Sequence, residues 1–126
     1  MPIPSRACRN HAFYVETTIP SACHTDRTDP EMVARCFATR QWWKIAATEC
    51  ELVTSRNVLQ ELSRGKPDQA LRRLSLLDGL LVLEPDDPET ETAAAYVRHK
   101  LMPADPLGDA MHLAMASHHR CDLLVT

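Results

Sequence analysis

Four short apolar runs, set apart by segments that carry helix-start signals, constrain this chain more than any other feature. They are Phe13-Tyr14-Val15, Leu52-Val53-Thr54, the stretch Leu80 to Leu83, and Leu123-Leu124-Val125. The stretch after the first run, PSACHTDRTD, reads as a loop. Asp29-Pro30 then gives an N-cap followed by proline at the first helical position. The helix it opens runs to about residue 48, through Met32, Val33, Cys36, Phe37, Trp43 and Ile45. Ser55 caps a second helix, RNVLQELSRG, which stops at Gly65. Pro67 opens a third, ending near Asp78-Gly79, and Asp87-Pro88 starts a fourth. Asp105-Pro106 starts a fifth, LGDAMHLAMASHH. Strands alternate with helices, and three of the strands are apolar on both faces. That pattern predicts an α/β domain with a mostly parallel sheet flanked by helices on both sides.

The length fits one domain: 126 residues, 44% of them apolar, can fill one core. The formal net charge of −3 excludes a protein that coats nucleic acid through bulk charge. The five cysteines, at 8, 23, 36, 50 and 121, form no CxxC pair. They read as buried or idle thiols in a reducing cytoplasm rather than a disulfide framework or a zinc site. No apolar run approaches the roughly 20 residues of a membrane helix. Residues 1–12 read as an irregular lead-in without an apolar signal core, and 13–126 as the domain.

The informative residues are acids in unexpected places. Glu16 follows the first strand directly, and in open parallel sheets sites form beyond the carboxyl ends of the strands. The alternative is a solvated strand-end residue, or a cap on the next turn. Glu61 borders the buried stripe Val58, Leu59 and Leu62 of the second helix; a plain pairing with Arg64, three residues on, also accounts for it. On the fifth helix, at about 100° per residue, Asp105, Asp109 and His112 fall within a narrow arc, with Leu107, Ala110, Met111 and Ala114 turned away. Asp105 also reads as an N-cap, and His112 as a hydrogen-bonded boundary histidine. Asp109, one turn inside an apolar helix, must be solvated, paired or metal-bound. Carboxylates gathered without a cation repel one another and shift their pKa values upward. Taken together, these acids call for a hard divalent ion, Mg²⁺ or Mn²⁺.

The segments FYVETTIPS, SRNVLQELSRG and MPADPLGDAMHLAMASHHRCDLLVT resemble the PIN-domain family, and more closely the VapC-type toxins of bacterial and archaeal toxin–antitoxin pairs. The resemblance spans about residues 13 to 126. It implies a three-layer metal-dependent ribonuclease fold. It implies RNA cleavage with Mg²⁺ or Mn²⁺ held by a small acidic cluster, often in a homodimer silenced by a cognate antitoxin. Position by position, the family acids fall on Glu16, Glu61 and Asp109, with Asp105 as a further metal-side acid. Thr17 and His112 are auxiliary. Glu16 departs from the usual Asp, and its extra methylene alters metal geometry. The family also carries a further acid or Asn after the last strand, following a Thr such as Thr126, and then more chain. This sequence stops at Thr126, so the resemblance implies a domain lacking its usual C-terminal end.

Three readings follow. The first is a metal-dependent endoribonuclease, with Arg27, Arg40, Lys44, Arg56 and Arg64 as candidates to hold the substrate backbone. The second is a silent PIN-like module that binds an antitoxin-like helix in a groove rich in Trp42, Trp43 and Phe37, residues that ordinary core packing also accounts for. The third, a receiver-like or phosphatase-like domain, is poorly matched: a receiver pairs acids after its first strand and keeps a late Lys, and this chain has Glu16 alone and no Lys after residue 100.

Overall fold

A computed structural model describes residues 11–103 and 107–126. In chain order the elements are β1 (Ala12–Val15), α1 (Thr18–Cys23), α2 (Pro30–Glu49), β2 (Glu51–Ser55), α3 (Arg56–Ser63), α4 (Pro67–Leu76), β3 (Leu81–Leu83), α5 (Asp87–Arg98), α6 (Leu107–His118) and β4 (Leu123–Val125). The four strands form one parallel sheet in the order β3-β2-β1-β4. The expected α/β architecture is the one observed. Most of the expected lead-in, and Asp105 with its N-cap role, lie outside the described residues.

Caps place the elements. Asp29 accepts the Met32 amide at 3.3 Å and opens α2, with Pro30 next. Ser55 accepts the Val58 amide at 3.3 Å and opens α3 directly from the end of β2. A side-chain acceptor here satisfies a helix-start amide that has no intrahelical partner. For α5 the cap is Asp86, one residue earlier than expected. It forms a reciprocal box in which the Glu89 carboxylate accepts the Asp86 amide at 2.8 Å. Gly79, at φ +86°, makes the turn into β3 in a conformation that side chains rarely adopt.

The central strands carry the core. Tyr14, Val15, Val53 and Leu52 pack with Val58 and Leu62 of α3, Leu77, and Met115 of α6. A second cluster, Ala93 with Ala110 and Ala114, lets α5 and α6 approach closely. Fully burying a side chain such as Val58 or Met115 contributes about 1.5–3 kcal/mol. The outer strands are less covered than the sequence predicts: Leu81 is 58% and Leu123 55% exposed. Being apolar, these strands look buried in the sequence, but they occupy the two edges of the sheet.

Three further expectations change. Part of the expected loop after β1 is helical, as α1. Pro20 sits within its first turn, where a missing amide costs nothing, and Ile19, Pro20, Ala22 and Cys23 are buried. Helix α2 is not the buried helix its apolar residues suggest. Trp42, Trp43 and Ala46 meet the core, whereas Val33, Phe37 and Ile45 are exposed. Among the described residues its main contacts run to α1 and β2. Cys23, Cys36 and Cys121 are free, but Cys50 is disulfide-bonded, so the five cysteines are not uniformly thiols.

Candidate functional site

The opening of the candidate site lies where β1 hands over to α1. The Glu16 amide donates to the Val125 carbonyl of β4 at 3.4 Å, which places Glu16 at the carboxyl edge of the sheet. Its side chain is buried and turned onto the start of α1. Oε1 accepts the Thr18 amide at 2.9 Å and also the Thr18 hydroxyl, and Oε2 accepts the Thr17 hydroxyl at 3.4 Å. A carboxylate at this point meets amides with no intrahelical partner. It also keeps lone pairs for other ligands, since two oxygens offer about four acceptor sites.

Glu61 reaches the same region from α3. Its near neighbour is His112 rather than Arg64: Oε1 lies 2.9 Å from His112 Nε2. The imidazole is buried, and Nδ1 is 2.8 Å from the Tyr14 hydroxyl. That hydroxyl is in turn 2.7 Å from Ser55 Oγ, the cap of α3. A buried polar chain thus links β1, β2, α3 and α6 below the site. The approach of Glu61 to Nε2 is close, yet off the line of a hydrogen bond, so Nε2 has no aligned acceptor among the described residues. Burial pushes the Tyr14 phenol above its usual range; the Ser55 hydrogen bond pulls it back, and the Glu61 and Glu16 charges push it up further.

Asp109 comes from the first turn of α6 and is exposed. Gly108 precedes it. A Cβ there would stand 2.9 Å from Glu61 Oε1, so the missing side chain leaves the room that the Glu61 carboxylate occupies. Glu16, Glu61 and Asp109 line one cavity of about 630 Å³, with Thr17, Arg64, Asn57 and Gln60. His112 departs from the predicted arc because it turns into the core, while Met111, expected to turn away, lines the cavity. The sequence reading missed Tyr14, Ser55 and Gly108 as parts of this arrangement. Gly108 beside Asp109 in a helix was the available signal, since glycine is costly there without a packing reason.

The donors are hard oxygens, which suit Mg²⁺ or Mn²⁺. The space left by Gly108 fits a carboxylate brought next to Asp109. Among the described residues, however, no three His, Cys, Asp or Glu side chains stand close enough to hold an ion. The Glu16 and Glu61 carboxylates are engaged by Thr18 and His112 instead.

The candidate cations divide. Arg64 lines the acidic cavity, and Arg27 lines a neighbouring one. Arg56 is held by Glu84 through two contacts of 2.6 Å. Arg40 donates to the Cys23 carbonyl at 2.6 Å, closing the end of α1. Residues 13–126 match the family of the PIN domain. No curated protein matches the chain.

Proposed function

The chain belongs to the PIN domain family, and we propose that it is a metal-dependent endoribonuclease, the toxin component of a toxin–antitoxin pair. PIN domains are generally metal-dependent nucleases acting on RNA or DNA, so a nuclease-type function comes with the family. One observation carries the finer reading. Three acids, one just after β1, one on α3 and one on α6, line a single cavity at the carboxyl edge of a parallel sheet. The toxin assignment rests on the VapC-like segments around Glu16, Glu61 and Asp109.

In this reading Glu16, Glu61 and Asp109, with Asp105 as a further acid, would hold the Mg²⁺ or Mn²⁺, which requires the Glu16 and Glu61 carboxylates to turn from Thr18 and His112 toward the cavity. The bound ion supplies an activated water and charge stabilisation at a phosphodiester. The chain's own residues do the rest. Arg64, in the same cavity, offers guanidinium donors to a phosphate. Thr18 fixes the Glu16 carboxylate, and His112 sits against that of Glu61. A cognate antitoxin as the silencing partner, a homodimer and a cytoplasmic location complete the proposal. No helix among the described residues is long and apolar enough to cross a membrane.

Cleavage of a structured RNA in Mn²⁺, Mg²⁺ and EDTA, with Glu61→Gln and Asp109→Asn alongside, tests it. Metal-dependent cutting lost in both variants supports the nuclease. Equal cutting in every sample marks a contaminant and removes the support. A second reading, a silent protein-binding module, is favoured by the exposed Val33, Phe37 and Ile45 of α2. Absence of tight Mn²⁺ binding and of cleavage selects it.

A further inference from the structure

A second cavity, of about 590 Å³, opens between α1 and α2. It differs in charge from the first. Three arginines line it, Arg27, Arg35 and Arg73, together with hydroxyl residues that include Ser21 and Thr39. Among the described residues no Asp or Glu side chain lines it. The acidic cavity has the reverse composition, three carboxylates to one arginine. Thr18 belongs to both walls, so the two cavities meet at the residue that fixes Glu16.

The arginines keep donors to spare. Arg27 meets Asp29 at 3.0 Å and Arg35 meets Glu31 at 3.4 Å, each through one nitrogen. Exposed pairs of this kind contribute little, and a guanidinium has five N–H donors. Arg73 gives its Nε to the His24 carbonyl at 3.3 Å. Asp26 is engaged outside the cavity by Arg72 and Gln69. His24, whose carbonyl Arg73 meets, is held below its usual range, first by burial and then by the charges of Arg40, Arg72 and Arg73.

Resting on the nuclease reading, we infer that this cavity seats the phosphodiester backbone of single-stranded RNA one step away from the scissile bond in the acidic cavity. Charge is the first reason. A polyanion is repelled by three carboxylates, and an adjoining arginine cleft supplies the attraction that one ion does not. Recognition is of backbone, since no aromatic ring among the described residues lines the cleft to stack a base.

The test is RNA binding without catalysis. A fluorescently labelled single-stranded oligoribonucleotide is titrated in EDTA over a salt series, and anisotropy gives the affinity. The Arg27→Gln/Arg35→Gln double variant is compared with Arg98→Gln, a change on α5. Arg27 and Arg35 are 67% and 60% exposed, so their loss leaves the core intact, and circular dichroism checks this. Each phosphate contact with a single strand adds about 0.7 to the slope of log K against log salt. The double variant is expected to lose about 1.4 of that slope, by the same rule. Arg98→Gln is expected to leave it unchanged. An unchanged slope in the double variant, or an equal fall in Arg98→Gln, overturns the cleft. A protein that cuts RNA but gives either of those results keeps the nuclease and loses only the cleft. A protein that neither binds nor cuts RNA loses both.

Discussion

His112 Nε2 stands 2.9 Å from Oε1 of Glu61, buried, with no hydrogen-bond acceptor aligned to it among the described residues. One face of the imidazole thus belongs to the core, through Tyr14, and the other to the candidate site. If Glu61 is a metal ligand, His112 positions it from behind. Supporting residues of this kind typically alter metal affinity by about 10–100-fold. His112→Leu is expected to weaken Mn²⁺ binding by that factor, read as free Mn²⁺ by electron paramagnetic resonance. Native affinity in a folded variant would reduce His112 to packing.

Gly108→Ala separates site from fold. The added methyl group would lie 2.9 Å from Glu61 Oε1 and must push the carboxylate aside. Alanine is otherwise the better helix residue by up to about 1 kcal/mol. The expected outcome is an unchanged or raised melting temperature with cleavage reduced, up to about a hundredfold for a misplacement near 1 Å. Full activity would show that the Glu61 position is not critical.

Tyr14 makes stability depend on alkaline pH. Its phenol is held above the usual value of about 10, chiefly by burial. The folded protein keeps the proton that the unfolded chain releases above that pH. The contribution is fully present below pH 10 and shrinks as pH rises beyond it. Urea unfolding across this range should show a decline that Tyr14→Phe reduces. The same variant leaves Ser55 and His112 short of a partner and should cost about 1–3 kcal/mol at neutral pH.

Glu89 is a buried acid with a structural role. Its carboxylate accepts the Asp86 amide at 2.8 Å and lies 3.1 Å from His119 Nε2. Glu89→Ala removes half of a capping box and a buried partner, for an expected loss of about 2 kcal/mol by urea unfolding. Cleavage per folded molecule should stay native; a selective loss of activity would place Glu89 in the site.

Much of the fold was legible in local signals. Asp29-Pro30, Ser55 and Pro67 mark helix starts that the structure keeps, because a cap acts on amides within a few residues of itself. The strands were readable as apolar runs of the right length. Helix α1 was not, because a six-residue helix holding Pro20 carries little periodicity and depends on Glu16 and on its burial. The exposure of Phe37 was equally hidden, since an apolar residue is the same letter whether or not a neighbour covers it.

The sequence by itself determined the α/β class, the parallel sheet and most helix boundaries. These follow from caps, hydrophobic pattern and residue type, which are local properties. Only the tertiary structure decided that Glu61 faces His112, that His112 joins Tyr14 and Ser55, and that an arginine cleft adjoins the acids across Thr18. Those relations join residues as far apart in the chain as Tyr14 and His112. Their distances are set by how α3 and α6 pack on the sheet, which no local pattern encodes.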